Sequence, residues 1–334
     1  MDGARVSCAT VKEGMAEQTT VGRRLRILGY GACALAGTLW GTGFYFGRLA
    51  LNEMSVEHMV LYRFLFASLG MLPAALFNRV RFSRYEMRTL LLAATFGIPI
   101  QFLIQFKGLD MTTVSHASLM VGAMPVLLAV AAALFAGESL DWSGWLALCG
   151  STVGVALVVL GGSHGAATRG RPSLVGDMLV IGSDITALAW ILLSKKVMKT
   201  HSPVVVSAYT ILLGAGMLIA IVLGPQMLSP LIHRNVTPLP FARVSATAWI
   251  ALAISGLLCT ATTTFLWNWG IHHVPASRAG VFLNIEPVLG SVLGVELLGE
   301  RLGPYAWLGG GLILAAAVTL TTRGNEPGPE VILE

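Results

Sequence analysis

One segment of this chain occurs twice, and that recurrence constrains the fold more than any other feature. Residues 108–146 align without a gap on residues 270–308, an offset of 162, with twelve identities in thirty-nine positions. Gly108, Ser115, Ala117, Pro125, Val126, Leu127, Val130, Gly137, Glu138, Leu140, Trp145 and Leu146 recur as Gly270, Ser277, Ala279, Pro287, Val288, Leu289, Val292, Gly299, Glu300, Leu302, Trp307 and Leu308. One structural unit is therefore used twice. Composition says what kind: 55% hydrophobic residues against 12% charged is far from a soluble balance. Apolar runs of the ~20 residues that a spanning helix needs follow one another from Ile27 to Thr321. They place ten spans, at 27–48, 57–77, 89–108, 114–136, 143–161, 174–194, 204–224, 247–269, 276–298 and 304–321. The expected fold is an all-α integral membrane protein of ten transmembrane helices in two five-helix repeats.

The expected organisation is a disordered cytoplasmic tail over 1–26, a first repeat over 27–161, a Gly-rich linker over 162–173, a second repeat over 174–321 and a cytoplasmic tail over 322–334. Arg23, Arg24 and Arg26 before an apolar run imitate a signal peptide. The run continues through Trp40, Phe44 and Phe46, well past the ~7–15 residues of a signal core. With the N-terminus inside, fourteen Lys and Arg fall on the cytoplasmic side and seven on the other, which predicts both termini in the cytoplasm. Five spans per repeat is an odd number, so the second repeat enters the membrane from the opposite side and the halves are inverted. That is an arrangement of secondary transporters, with a central site between two halves.

The placement of several short motifs carries a family resemblance. Trp40-Gly41 in the first span, Arg63 in the second, Pro125-Val126 and Glu286-Pro287-Val288 in the fourth and ninth, and the closing Gly137–Leu140 and Gly299–Leu302 sequences resemble the EamA family of the drug/metabolite transporter superfamily. The resemblance implies a secondary carrier of the cell (inner) membrane. It implies a small-molecule substrate, most often an exported amino acid, metabolite or drug, and a cavity opened alternately to each side.

Site residues are read from polar groups that hydrocarbon would reject. Gln101 and Gln105 lie one turn apart on the third span, and their repeat mates are Thr263 and Trp267 on the eighth; all four are expected to line one site. Asp184 lies deep in the sixth span, and Trp40 and Trp267 would suit an organic substrate. Glu286 lies midway along the ninth span, where a charge costs at least ~2.5–3.5 kcal/mol and so requires a partner, water or a proton. With Asn284 it is expected to contact either a substrate amino group or a coupling proton, or else to fix the kink beside Pro287. Pro125 and Pro287 each remove a backbone donor and predict kinks. Arg63 either snorkels or pairs with a carboxylate such as Asp184. Glu138 and Glu300 are expected to cap the fifth and tenth spans. His116, His272 and His273 lack ligand spacing.

Other functions are excluded on the same footing. Cys8, Cys33, Cys149 and Cys259 lie far apart without metal or disulfide spacing. The net charge of +5 is distributed as a membrane protein requires, so no nucleic-acid partner is expected. No phosphate loop, nucleophile elbow or metalloprotease helix occurs, so neither catalytic residues nor a cofactor is expected. The GxxxG pairs Gly37/Gly41, Gly43/Gly47, Gly150/Gly154 and Gly290/Gly294 are explained by close packing within one chain, and leave both a monomer and a homodimer open.

Overall fold

The computed structural model describes residues 3–124, 126–127, 142–161, 173–232, 244–274 and 279–323. Among them the regular structure is entirely helical. In chain order the helices are α1 (Gly3–Leu51), α2 (Val56–Phe77), α3 (Arg84–Asp110), α4 (Val114–Val121) and α5 (Trp142–Gly161). There follow α6 (Leu174–Val197), α7 (Pro203–Ile232), α8 (Ala246–His273), α9 (Ile285–Leu298) and α10 (Pro304–Arg323). Five stretches among the described residues are long and apolar enough to cross a bilayer: α2, α3, α6, Pro203–Pro225 of α7, and α8. Large apolar side chains stay exposed on the outer faces, among them Phe77, Trp142, Leu160 and Trp307. An exterior of that kind suits lipid, not water.

Helix α1 differs from expectation, because it starts at Gly3 and takes in most of the segment read as a disordered tail. No proline occurs before residue 27, so nothing in the backbone stops the helix from continuing toward the N-terminus.

Helix starts follow their sequence signals. Ser55, Thr113, Ser173 and Ser245 accept from backbone N–H groups at the starts of α2, α4, α6 and α8. Ser83 and Glu86 form a reciprocal capping box on α3, at 3.2 and 2.8 Å.

Both α3 and α8 contain a π-helical turn, Phe96–Ile100 in one and Leu257–Thr262 in the other. The offset of 162 carries 96–100 onto 258–262, so the two turns are repeat mates. Their local causes differ. Pro99 cannot donate within the first, whereas in the second Thr260 and Thr262 donate to carbonyls five residues back, at 2.9 and 2.8 Å.

Packing is repeated as well. Helix α2 lies on α7, α4 on α9 and α5 on α10, while α1 packs on α8 and α3 on α6. At the α3–α6 crossing a Cβ on Gly108 would strike the Gly176 carbonyl and the Val180 amide. At the α1–α8 crossing a Cβ on Gly270 would strike Cys33 and the Gly29 carbonyl. Gly29 and Gly176 are 147 residues apart, as are the first residues of α2 and α7. The repetition therefore reaches the first two helices of each half, where the sequence shows no gapless match.

Candidate functional site: a cavity between the repeats

Two interrupted helices contribute to the cavity wall. The fourth and ninth segments are both interrupted: α4 stops at Val121, and α9 is preceded by a 3-10 turn, Gly280–Asn284. Val121 and Leu283 sit at these breaks, 162 residues apart, and both line the cavity. Pro287 falls in the first turn of α9, where its missing N–H costs little. The expected mid-helix kink is thus a helix start, and Glu286 stands at it. Pro125 lies outside the described residues.

About 920 Å³ of space, its open part included, is enclosed by α1, α2, α3, α6, α7 and α8 together with the two breaks. Pairs of lining residues obey the two offsets. Met124 faces it with Glu286 and Gln105 with Trp267, 162 apart; Trp40 with Ala187 and Arg63 with Thr210 are 147 apart.

Six of the eight residues expected from sequence line this space: Trp40, Gln101, Gln105, Asp184, Trp267 and Glu286. Thr263 and Asn284 do not. The Thr263 hydroxyl is too short to follow its mate Gln101 into the space, and donates to the Thr260 carbonyl at 3.0 Å; Thr264 lines the wall instead. Asn284 is buried beside the break, but Leu283 and Glu286, three apart, share the cavity-facing side of that turn and leave Asn284 off it. Trp40 and Trp267 meet with ring centroids 5.5 Å apart, forming one aromatic wall.

Several polar atoms at the cavity are unsatisfied within the protein. Asp184 Oδ2, Trp267 Nε1, Thr210 Oγ1 and Gln101 Oε1 have no hydrogen-bond partner among the described residues. The side chains of Asp184, Trp267 and Thr210 are all at least 97% buried. Buried groups of this kind are costly unless something meets them.

Arg63 neither snorkels nor forms the expected ion pair. It is buried, donates from Nε to Thr260 Oγ1 at 2.8 Å and from Nη2 to the Cys259 carbonyl at 3.4 Å. The Phe102 and Phe106 rings each stand 5.0 Å from Cζ. Thr260 belongs to the π-helical turn of α8, so this turn supplies both acceptors.

A second polar cluster, missed by the sequence reading, joins the turn before α4 to the start of α6. Asp177, 1% exposed, accepts from Thr112 Oγ1 at 2.6 Å and lies 3.4 Å from His116 Nδ1. Arg48 donates to the carbonyls of Leu109 and Thr112 beside it. Thr112 lies in the bend before α4 and His116 in the first turn of that helix, and their partner is 61 residues away from His116, so no local spacing marks the cluster. Glu300 also acts differently from expectation. Gly299 takes a left-handed conformation, φ 67°, at the end of α9, and Glu300 then accepts from the Val114 and Ser115 amides, at 2.7 Å each. It caps α4 of the other repeat, because α4 packs against α9 and brings its free amides within reach; Glu138 lies outside the described residues.

With this geometry in view, the family model described as the EamA-like transporter family matches residues 27–160 and 174–322. The chain belongs to that family. The resemblance read from the motifs is correct. An uncharacterized transporter, YwfM, of Bacillus subtilis is 26% identical over 297 residues, covering 86% of this chain and 91% of the relative. A probable terminal-alkyne amino-acid exporter of Streptantibioticus cattleyicolor is 23% identical over 296 residues, covering 87% and 93%. A solved crystal structure shares the fold with a TM-score of 0.59 at 18% identity, covering 89% of this chain and 96% of that one. The EamA membership and these relatives make the chain a membrane transporter rather than an enzyme, and imply a small-molecule substrate.

Proposed function

We propose that this EamA protein is a secondary active transporter that exports amino acids or related small metabolites across the cytoplasmic membrane by alternating access. Ten spans form two inverted five-span repeats, with both termini in the cytoplasm and a proton as the coupling ion. The observation that carries this reading is the cavity itself, which sits where α4 and α9 break and combines Asp184 and Glu286, Arg63 and an aromatic wall. Broken helices at a site shared by two repeats are what a carrier needs to expose one site alternately. The carboxyl groups suit an ammonium and the arginine suits a carboxylate. The likeness to a relative named as a probable amino-acid exporter supports the same substrate class. Trp40, Gln101, Gln105, Asp184, Trp267 and Glu286 are assigned to substrate or proton binding.

A multidrug exporter is the second reading, favoured by the Trp40–Trp267 wall, which would accept aromatic compounds generally. Untargeted metabolomics of the medium of overexpressing cells separates the two. Accumulation of amino acids supports the first, and increased tolerance to structurally unrelated drugs without amino-acid release supports the second. In a background lacking native cysteines, Arg81→Cys should resist an impermeant thiol reagent in intact cells and Arg169→Cys should label. The reverse pattern would overturn the orientation.

A further inference from the structure

Among the described residues, Arg63 is the one group lining the cavity that carries a fixed positive charge, since a guanidinium stays protonated in proteins. A cation buried at membrane depth costs several kcal/mol unless something meets it. Part of that cost is offset by the two phenyl rings, each 5.0 Å from Cζ, in an arrangement that attracts cations. Two of its donor atoms, Nε and Nη2, are engaged with Thr260 and Cys259. No ion pair within 4.0 Å joins it to Asp184 or Glu286 among the described residues, although all three line the same space. Cation and carboxyl groups are therefore held apart within one cavity. Two unpartnered atoms add to the pattern, the Trp267 Nε1 donor and the Asp184 Oδ2 acceptor.

The molecule that satisfies this set carries an anionic acceptor for Arg63 and a cationic donor for the carboxyl groups. Resting on the export reading above, we infer that Arg63 is the subsite for the transported molecule's carboxylate, and that it restricts the substrate to carboxylate-bearing compounds, α-amino acids foremost. A planar fork of N–H donors matches a carboxylate in two parallel hydrogen bonds. A lipophilic cation without a carboxylate would meet a fixed like charge and leave the guanidinium unpaired. The repeat mate of Arg63 is Thr210, so the carboxylate is bound from one half only. Phe102 and Phe106 hold the guanidinium plane, and the π-helical turn of α8 holds its orientation.

The test uses the full-length purified protein in liposomes loaded with three pools: the proteinogenic α-amino acids, simple monocarboxylates without an amine, and organic amines without a carboxylate. Efflux is read by mass spectrometry for the wild type, Arg63→Lys and Arg63→Gln. The expected result is selective efflux of α-amino acids, slowed at least tenfold by Arg63→Gln and less by Arg63→Lys. The carboxamide of the fastest amino acid should fail to compete on the wild type, an arm that holds even if a variant does not insert. Efflux of monocarboxylates instead, abolished in Arg63→Gln, would support the subsite while overturning amino-acid export. Efflux of amines alone, full competition by the carboxamide, or unchanged amino-acid efflux in Arg63→Gln would overturn the inference. Absence of efflux from all three pools would overturn the transport reading and the subsite with it.

Discussion

Met124 in the first repeat stands where Glu286 stands in the second, Gln105 where Trp267 stands, and Thr210 where Arg63 stands in the opposite sense. The places are shared and the chemistry is not. The α1–α2 and α6–α7 junctions show the same division. At one, Glu53 on the loop before α2 receives the hydroxyl and amide of Ser245, both at 2.6 Å. At the other, the mates are Thr200 and Ser83, and the carboxylate is Glu86, on α3 itself, which accepts from Thr200 at 2.7 Å and from the Ser83 amide at 2.8 Å. Each junction needs one carboxylate to hold a helix start against a neighbouring loop, and either element can provide it. Close helix crossings are less permissive, and there glycine stands on both sides in both repeats, at Gly29 with Gly270 and at Gly176 with Gly108. Backbone approach constrains both copies equally. Cavity positions carry no such backbone constraint and are free to diverge.

The largest difference between repeat mates is expected at Glu286. A correctly inserted Glu286→Gln variant should lose the pH-dependent component of transport to background, while Met124→Leu at the mate position, a volume-conserving swap, should stay within about twofold. Proteoliposome uptake across a pH series reads both. Full activity with the wild-type pH profile in the Gln variant would make Glu286 architectural. Next comes the Asp177 cluster. Asp177→Ala strands Thr112 and His116 and should cost about 1.5–3 kcal/mol, the range for hydrogen bonds to a charged group. Tyr30→Phe, 147 residues earlier, should stay within ~0.5 kcal/mol. Equal shifts in detergent melting would show that the two positions are held alike.

Gln105→Leu and Trp267→Ala should each lower transport about fivefold at unchanged membrane abundance, close to the ~1 kcal/mol of one hydrogen bond. Unchanged rates in both would take this pair out of the site. The smallest effect is expected at the junction. The Ser245 hydroxyl, and then its amide, hold the Glu53 carboxyl below the usual carboxylate range. Its contribution is therefore complete above the unfolded pKa and is lost as pH falls through the lowered folded value. Glu53→Gln should flatten the acid limb of the stability profile slightly; an identical limb would show that the contact contributes nothing.

Periodic and local features were legible in the amino-acid sequence. Hydropathy over ~20 residues marks membrane helices, and a gapless 162-residue offset marks the repeated unit. Six cavity residues were legible because polar side chains in an apolar run have few places to go. Contacts between partners distant in the chain emerged with the packing of the helices. Glu300 lies beside α10 in sequence but caps α4, because α4 and α9 pack together and free amides are nearest there. Arg63 meets Thr260, 197 residues away, through a π-helical turn that no periodicity announces. The match of the first two helices of each half was likewise invisible, since helix packing demands glycine at only a few crossings and leaves the remaining side chains free to vary.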